Sequence, residues 1–67
     1  NYAKAVQYYE LAVGQSGRNA ELRIALGDAY LKTLAYDEAL EQYKAAKDHG
    51  SLKADSRIAR VEKRTGG

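Results

Sequence analysis

The stretch AELRIALGDAYLKTLAYDEALEQYKAAKDHGSLK, residues 20–53, decides how this chain is read, because its 34-residue length is also the period at which the chain repeats itself. Tyr36, Ala39, Tyr43 and Ala46 within it match Tyr2, Ala5, Tyr9 and Ala12 upstream, while its opening Ala20 and Arg23-Ile24-Ala25 recur downstream as Ala54 and Arg57-Ile58-Ala59. Eight identities at a single offset mark a structural repeat. A period of this length belongs to stacked helical units, each of which buries its apolar face only by leaning on a neighbour.

The composition narrows the reading further. A chain of 67 residues has room for one small domain with a marginal core. It contains no Cys and one His, His49, so neither a disulfide framework nor a metal site is expected, and no cofactor is. The net charge is only +2 and acidic and basic residues are interspersed along most of the chain, so no nucleic-acid partner is expected. No apolar run is long enough for membrane insertion, and no signal peptide opens the chain. With no Met at all, the chain reads as a segment of a longer protein, which leaves its localisation open.

Pro is absent and the apolar residues fall at helical spacing, which predicts an all-α chain of four amphipathic helices over 2–13, 20–33, 36–48 and 52–64. In the first, Ala5, Val6, Tyr9, Ala12 and Val13 share a face, with Gly14 placed to stop the helix in a left-handed conformation. Asn19 is a fitting N-cap for the second, whose Leu22, Ala25, Leu26, Ala29, Tyr30 and Leu34 supply the buried stripe. The third sorts its charges by end, Asp37, Glu38 and Glu41 early and Lys44 and Lys47 late, as the helix dipole favours. Gly50 is its expected stop and Ser51 the next N-cap, while Thr65-Gly66-Gly67 ends the fourth.

Residues 20–53 resemble one complete tetratricopeptide repeat. Leu26-Gly27, Tyr30 and Ala39 with Tyr43 four residues on occupy the positions that define its two helices. Gly27, Ala39 and Ala46 are small enough for the paired helices to approach, and Tyr30 and Tyr43 fill the space beside them. By the same resemblance, 1–19 is the second helix and linker of a preceding repeat, and 54–67 a C-terminal capping helix. The implied architecture is antiparallel helix hairpins stacked as an α-solenoid fragment. The match fails after Ala59, where Arg60, Lys63 and Arg64 stand for Leu26, Ala29 and Tyr30, and a shifted register pairing Ile58 with Leu26 stays open. Arg23 replaces the pattern's Trp, Ser51 its Pro, and Leu34-Ala35 its Gly-containing turn, where a positive φ at Leu34 would cost on the order of 1 kcal/mol.

The resemblance implies a protein-protein interaction scaffold with a protein or peptide partner held in a groove. Its groove-facing positions are Glu21, Ile24, Asp28, Leu31 and Lys32, which also read more plainly as solvated charges and packing residues. Ile24, Ala25 and Asp28 stand where one branch of the family places carboxylate-binding donors, so that clamp is missing. With Glu21 and Asp28 taken as free acids, a mixed apolar and basic ligand is expected.

A second surface is the stripe Lys53, Arg57, Arg60 and Arg64, opposite Ala54, Ile58, Val61 and Thr65; it is either the solvated outside of a cap or a site for an acidic protein, a phosphate backbone or anionic lipid. No aromatic residue interleaves with it, so base stacking has no support. A third is the unpaired face of the first helix, Val6, Tyr9 and Val13, through which two copies would form a homodimer, the alternative to peptide binding.

No enzymatic constellation is legible. Residues 14–19 lack the Gly-Lys-Ser/Thr ending of a phosphate loop and follow a helix, not a strand. His49 has no partner at helical spacing and is expected near the last carbonyls of the third helix. Asp37, Glu38 and Glu41 read as dipole complementation.

Overall fold

The computed structural model describes residues 1–66 and contains four helices: α1 Tyr2–Gln15, α2 Ala20–Lys32, α3 Tyr36–Asp48 and α4 Ala54–Thr65. Each packs chiefly on the next, α1 on α2, α2 on α3 and α3 on α4. The Cα atoms span 32 × 28 × 13 Å, and the short dimension fits two helix layers about 8–10 Å apart.

The helix ends show which local signals decide the boundaries. Asn1 Oδ1 accepts from the backbone N–H groups of Ala3 and Lys4, and Asn19 Oδ1 accepts from that of Leu22 at 3.1 Å, so both α1 and α2 start at a capping Asn. Gly14 does not stop α1. It lies inside the helix, which continues to Gln15 and is capped at Ser16, whose N–H donates to the Ala12 carbonyl. Gly at this exposed position weakens a helix without breaking it.

Both α2 and α3 end in the same hydrogen-bonded device. After α2, the Leu34 N–H donates to the Leu31 carbonyl and the Ala35 N–H to the Tyr30 carbonyl; after α3, Gly50 donates to Lys47 and Ser51 to Ala46. These paired bonds define a Schellman motif, whose pivotal residue is left-handed: Gly50 at φ 93° and Leu34 at φ 65°. Leu34 therefore takes the strained conformation its position implied. It does not join the buried stripe, however, because the motif turns its side chain outward, 67% exposed.

The second motif also corrects the start of α4. Ser51 is committed to closing α3, so α4 begins at Ala54, not at 52, and Ser51 Oγ accepts from the Lys53 N–H at 3.2 Å. His49 caps α3 through its backbone N–H. At the far end Gly66 is left-handed at φ 75°, and the expected terminator Gly67 lies outside the described residues.

The core joins α2, α3 and α4. Ile24, Ala39, Tyr43, Ala46, Ala54 and Val61 form one buried cluster, flanked by Tyr30, Leu31, Tyr36, Leu40 and Ile58. Val61 stands at the register position of Gly27, which keeps α4 buried beyond the point where the sequence match ends. Tyr43 is 0% exposed, and its ring lies against Gly27 so closely that a Cβ there would fall 2.7 Å from Cδ1, 2.9 Å from Cζ and closer still to Cε1. Only a glycine lets α2 and α3 meet at that separation.

Candidate functional site

The close approach at Gly27 places the next residue, Asp28, where three helices converge. The Tyr43 hydroxyl of α3 donates to Asp28 Oδ1, and Arg57 of α4 forks onto the same carboxylate, Nε to Oδ1 at 3.0 Å and Nη2 to Oδ2 at 3.3 Å. A forked guanidinium fixes orientation as well as charge. Partial burial opposes ionisation of Asp28, but the bonds from Arg57 and Tyr43 and the charges of Arg57 and Arg60 outweigh it, holding the carboxyl below its ordinary 3.8. Burial, reinforced by the bond to Asp28, drives the Tyr43 phenol well above its ordinary 10.0.

A second bridge joins the same helices toward their N-terminal ends, where Lys53 Nζ lies 3.1 Å from Glu21 Oε2. Both side chains are largely exposed, so this pair contributes roughly 0–1 kcal/mol. Its consequence is electrical. Glu21 pairs with Lys53 at the N-cap of α4 and Asp28 with Arg57 within it, so neither stands as the free acid on which the expectation of a basic ligand was built.

Between the C-terminal ends of α2 and α4 lies a groove of about 340 Å³ lined by Asp28, Leu31, Lys32, Leu34 and Arg64. Among the described residues no carboxylate forms an ion pair with Lys32, Arg60 or Arg64, whereas Asp28, the acid of the groove, is held by Arg57. The groove thus combines apolar lining, Leu31 and Leu34, with an excess of positive charge.

The sequence-predicted residues fall into distinct places. Leu31 and Lys32 line the groove, Asp28 lies at its base, Glu21 is bridged to Lys53, and Ile24 is 4% exposed within the core. Of the α4 stripe, Lys53 and Arg57 turn toward α2, Arg64 lines the groove, and Arg60 is near enough to Asp28 for its charge to act on that carboxyl. On α1, Val13 is buried by the chain itself and Val6 and Tyr9 are half-buried; the exposed large apolar residues are Tyr2, Tyr8 and Leu11.

Two contributors were missed in the sequence. Leu34 lines the groove, a role that helical spacing did not signal because the residue lies beyond α2 in a left-handed turn. Arg23, read as a departure from the repeat pattern, donates from Nε to the Gly17 carbonyl and from Nη1 to Gln42 Oε1, each at 3.0 Å, tying the 16–19 turn to α3. Nothing in the linear spacing pointed to that contact.

Four helices stacked in order, with a glycine under a buried tyrosine and a 34-residue internal register, define a helical-repeat protein of the α-solenoid class. Residues 1–61 match the family model described as tetratricopeptide repeat, and the chain belongs to that family. No curated protein and no solved structure matches it. Repeats of this family are in general protein-protein interaction modules. No helix among the described residues is long and apolar enough to cross a membrane.

Proposed function

We propose that the chain is a protein-interaction scaffold that holds an acidic, partly apolar peptide segment of its partner in the groove between α2 and α4. The observation that carries this reading is the charge balance: α4 neutralises Asp28 through Arg57, while Lys32 and Arg64 line the same groove with no carboxylate partner among the described residues. Leu31 and Leu34 receive the apolar side chains of the ligand, and Lys32, Arg60 and Arg64 receive its carboxylates.

Fluorescence anisotropy with two labelled peptides of equal length, one alternating Leu with Glu and Asp and one alternating Leu with Lys and Arg, tests it. The acidic peptide binds, and the paired substitution Lys32→Ala with Arg64→Ala weakens it about tenfold or more, with helicity by circular dichroism unchanged. Equal binding of the basic peptide, or capture indifferent to the paired substitution, refutes the reading.

A further inference from the structure

Asp28 is the one acid among the described residues that line the α2–α4 groove, where it stands beside Lys32 and Arg64. It accepts the Arg57 fork on both oxygens, Nε to Oδ1 at 3.0 Å and Nη2 to Oδ2 at 3.3 Å. A peptide carboxylate would meet a guanidinium in the same way. The pair is open to solvent, with the Arg57 side chain 25% exposed and that of Asp28 41%, so a charged ligand in the groove feels both groups. Asp28 is also fixed in place. The hydroxyl of the fully buried Tyr43 donates to Oδ1, and the charge of Arg60 acts on the same carboxyl.

We infer, taking the α2–α4 groove as the peptide site proposed above, that Asp28 is a built-in competitor for the ligand: it occupies Arg57 as a ligand carboxylate would and so holds down the groove's affinity for acidic peptides. Arg57, acting through Asp28, then decides which sign of charge the groove accepts. With both groups present, Lys32, Arg60 and Arg64 face the ligand beside a pair whose charges cancel. Without the Asp28 charge, that of Arg57 joins theirs; without Arg57, an uncompensated carboxylate stands in the groove and repels an acidic segment. One contact therefore stabilises the stack and weakens binding. Neutralising Asp28 moves stability and affinity in opposite directions, whereas the loss of a mere brace between α2 and α4 moves both downward.

The intact chain is titrated with the acidic Leu-Glu-Asp and the basic Leu-Lys-Arg peptides by fluorescence anisotropy, and each variant is also melted. Asp28→Asn binds the acidic peptide about fivefold more tightly while melting lower, and the gain shrinks with added salt. Arg57→Gln weakens the acidic peptide by about the same factor and strengthens the basic one. Arg57→Lys, which keeps the charge and loses the fork, restores the preference for the acidic peptide. Val61→Ala cuts into the buried face of α4 and alters no charge, so it lowers the melting temperature without raising affinity. Unchanged or weaker binding by Asp28→Asn overturns the competitor role. An equal gain in Val61→Ala overturns it too, since the effect then belongs to a loosened α4, and so does an Arg57→Lys chain that behaves like Arg57→Gln. In the parent chain, acidic-peptide binding that falls with the paired Lys32→Ala and Arg64→Ala substitution upholds the groove, so a failure of Asp28→Asn then counts against the competitor alone. Absence of that binding overturns both.

Discussion

At the scale of single residues, Gly27 and Leu34 show that backbone demands outrank side-chain preference in this chain. Gly27→Ala improves helix propensity by about 1 kcal/mol, yet its methyl group meets a fully buried ring that has nowhere to move, and overpacking of that kind costs about 1–3 kcal/mol. The expected outcome is a net loss of about 1 kcal/mol in chemical denaturation, where a propensity-only view expects a gain. Leu34 is the opposite case. Its side chain is exposed and its φ is 65°, while Gly50 performs the equivalent turn after α3 without strain. Leu34→Gly should therefore stabilise the fold by about 1 kcal/mol, seen as a raised melting temperature. The positive φ at Leu34 was legible from the repeat pattern. Its exposure was not, because helical spacing places Leu34 on the apolar stripe, and only the Schellman geometry turns it away.

Among the helices, caps and hydrogen-bond commitments explain where the sequence reading held and where it slipped. Asn19 is a true cap and α2 starts where expected; Gly14 has no such role, since the chain there stays helical until Ser16. The start of α4 was also written in the sequence, because Ala54 is the register partner of Ala20, the first residue of α2. A favourable N-cap residue at Ser51 obscured it. What spacing alone did not reveal was the link between helices, in which Asp28 of α2 meets Tyr43 of α3 and Arg57 of α4. Pairing across a stack depends on which faces touch, and Asp28 and Arg57 are 29 positions apart. This link is pH-sensitive. With the folded carboxyl held below 3.8, its contribution is complete above pH 3.8 and is lost as pH falls through the lower folded value. In thermal melts Asp28→Asn should be the less stable protein at neutral pH, and the gap to the parent chain should close in acid.

Over the whole molecule, the register that revealed the fold also sorts its surfaces. The buried cluster joins α2, α3 and α4, and α1 leans on α2 with a cleft between them. The family and the all-α architecture were legible because packing repeats every 34 residues, and small and aromatic side chains recur with it. The groove's chemistry was legible only in part. Leu31 and Lys32 follow from the family resemblance, but the sign of its charge depends on two ion pairs, Glu21 with Lys53 and Asp28 with Arg57, that occupy its acids. Once those pairs form, the net charge of +2 is distributed so that Lys32, Arg60 and Arg64 cluster at one end of the molecule. That end is where an acidic partner should dock. Amide chemical-shift mapping of the labelled chain titrated with the Leu-Glu-Asp peptide tests this most directly. Saturable shifts concentrated at Leu31, Lys32, Leu34 and Arg64 are predicted; shifts confined to the outer faces of α1 or α3, or none at a peptide excess that saturates anisotropy, would contradict it.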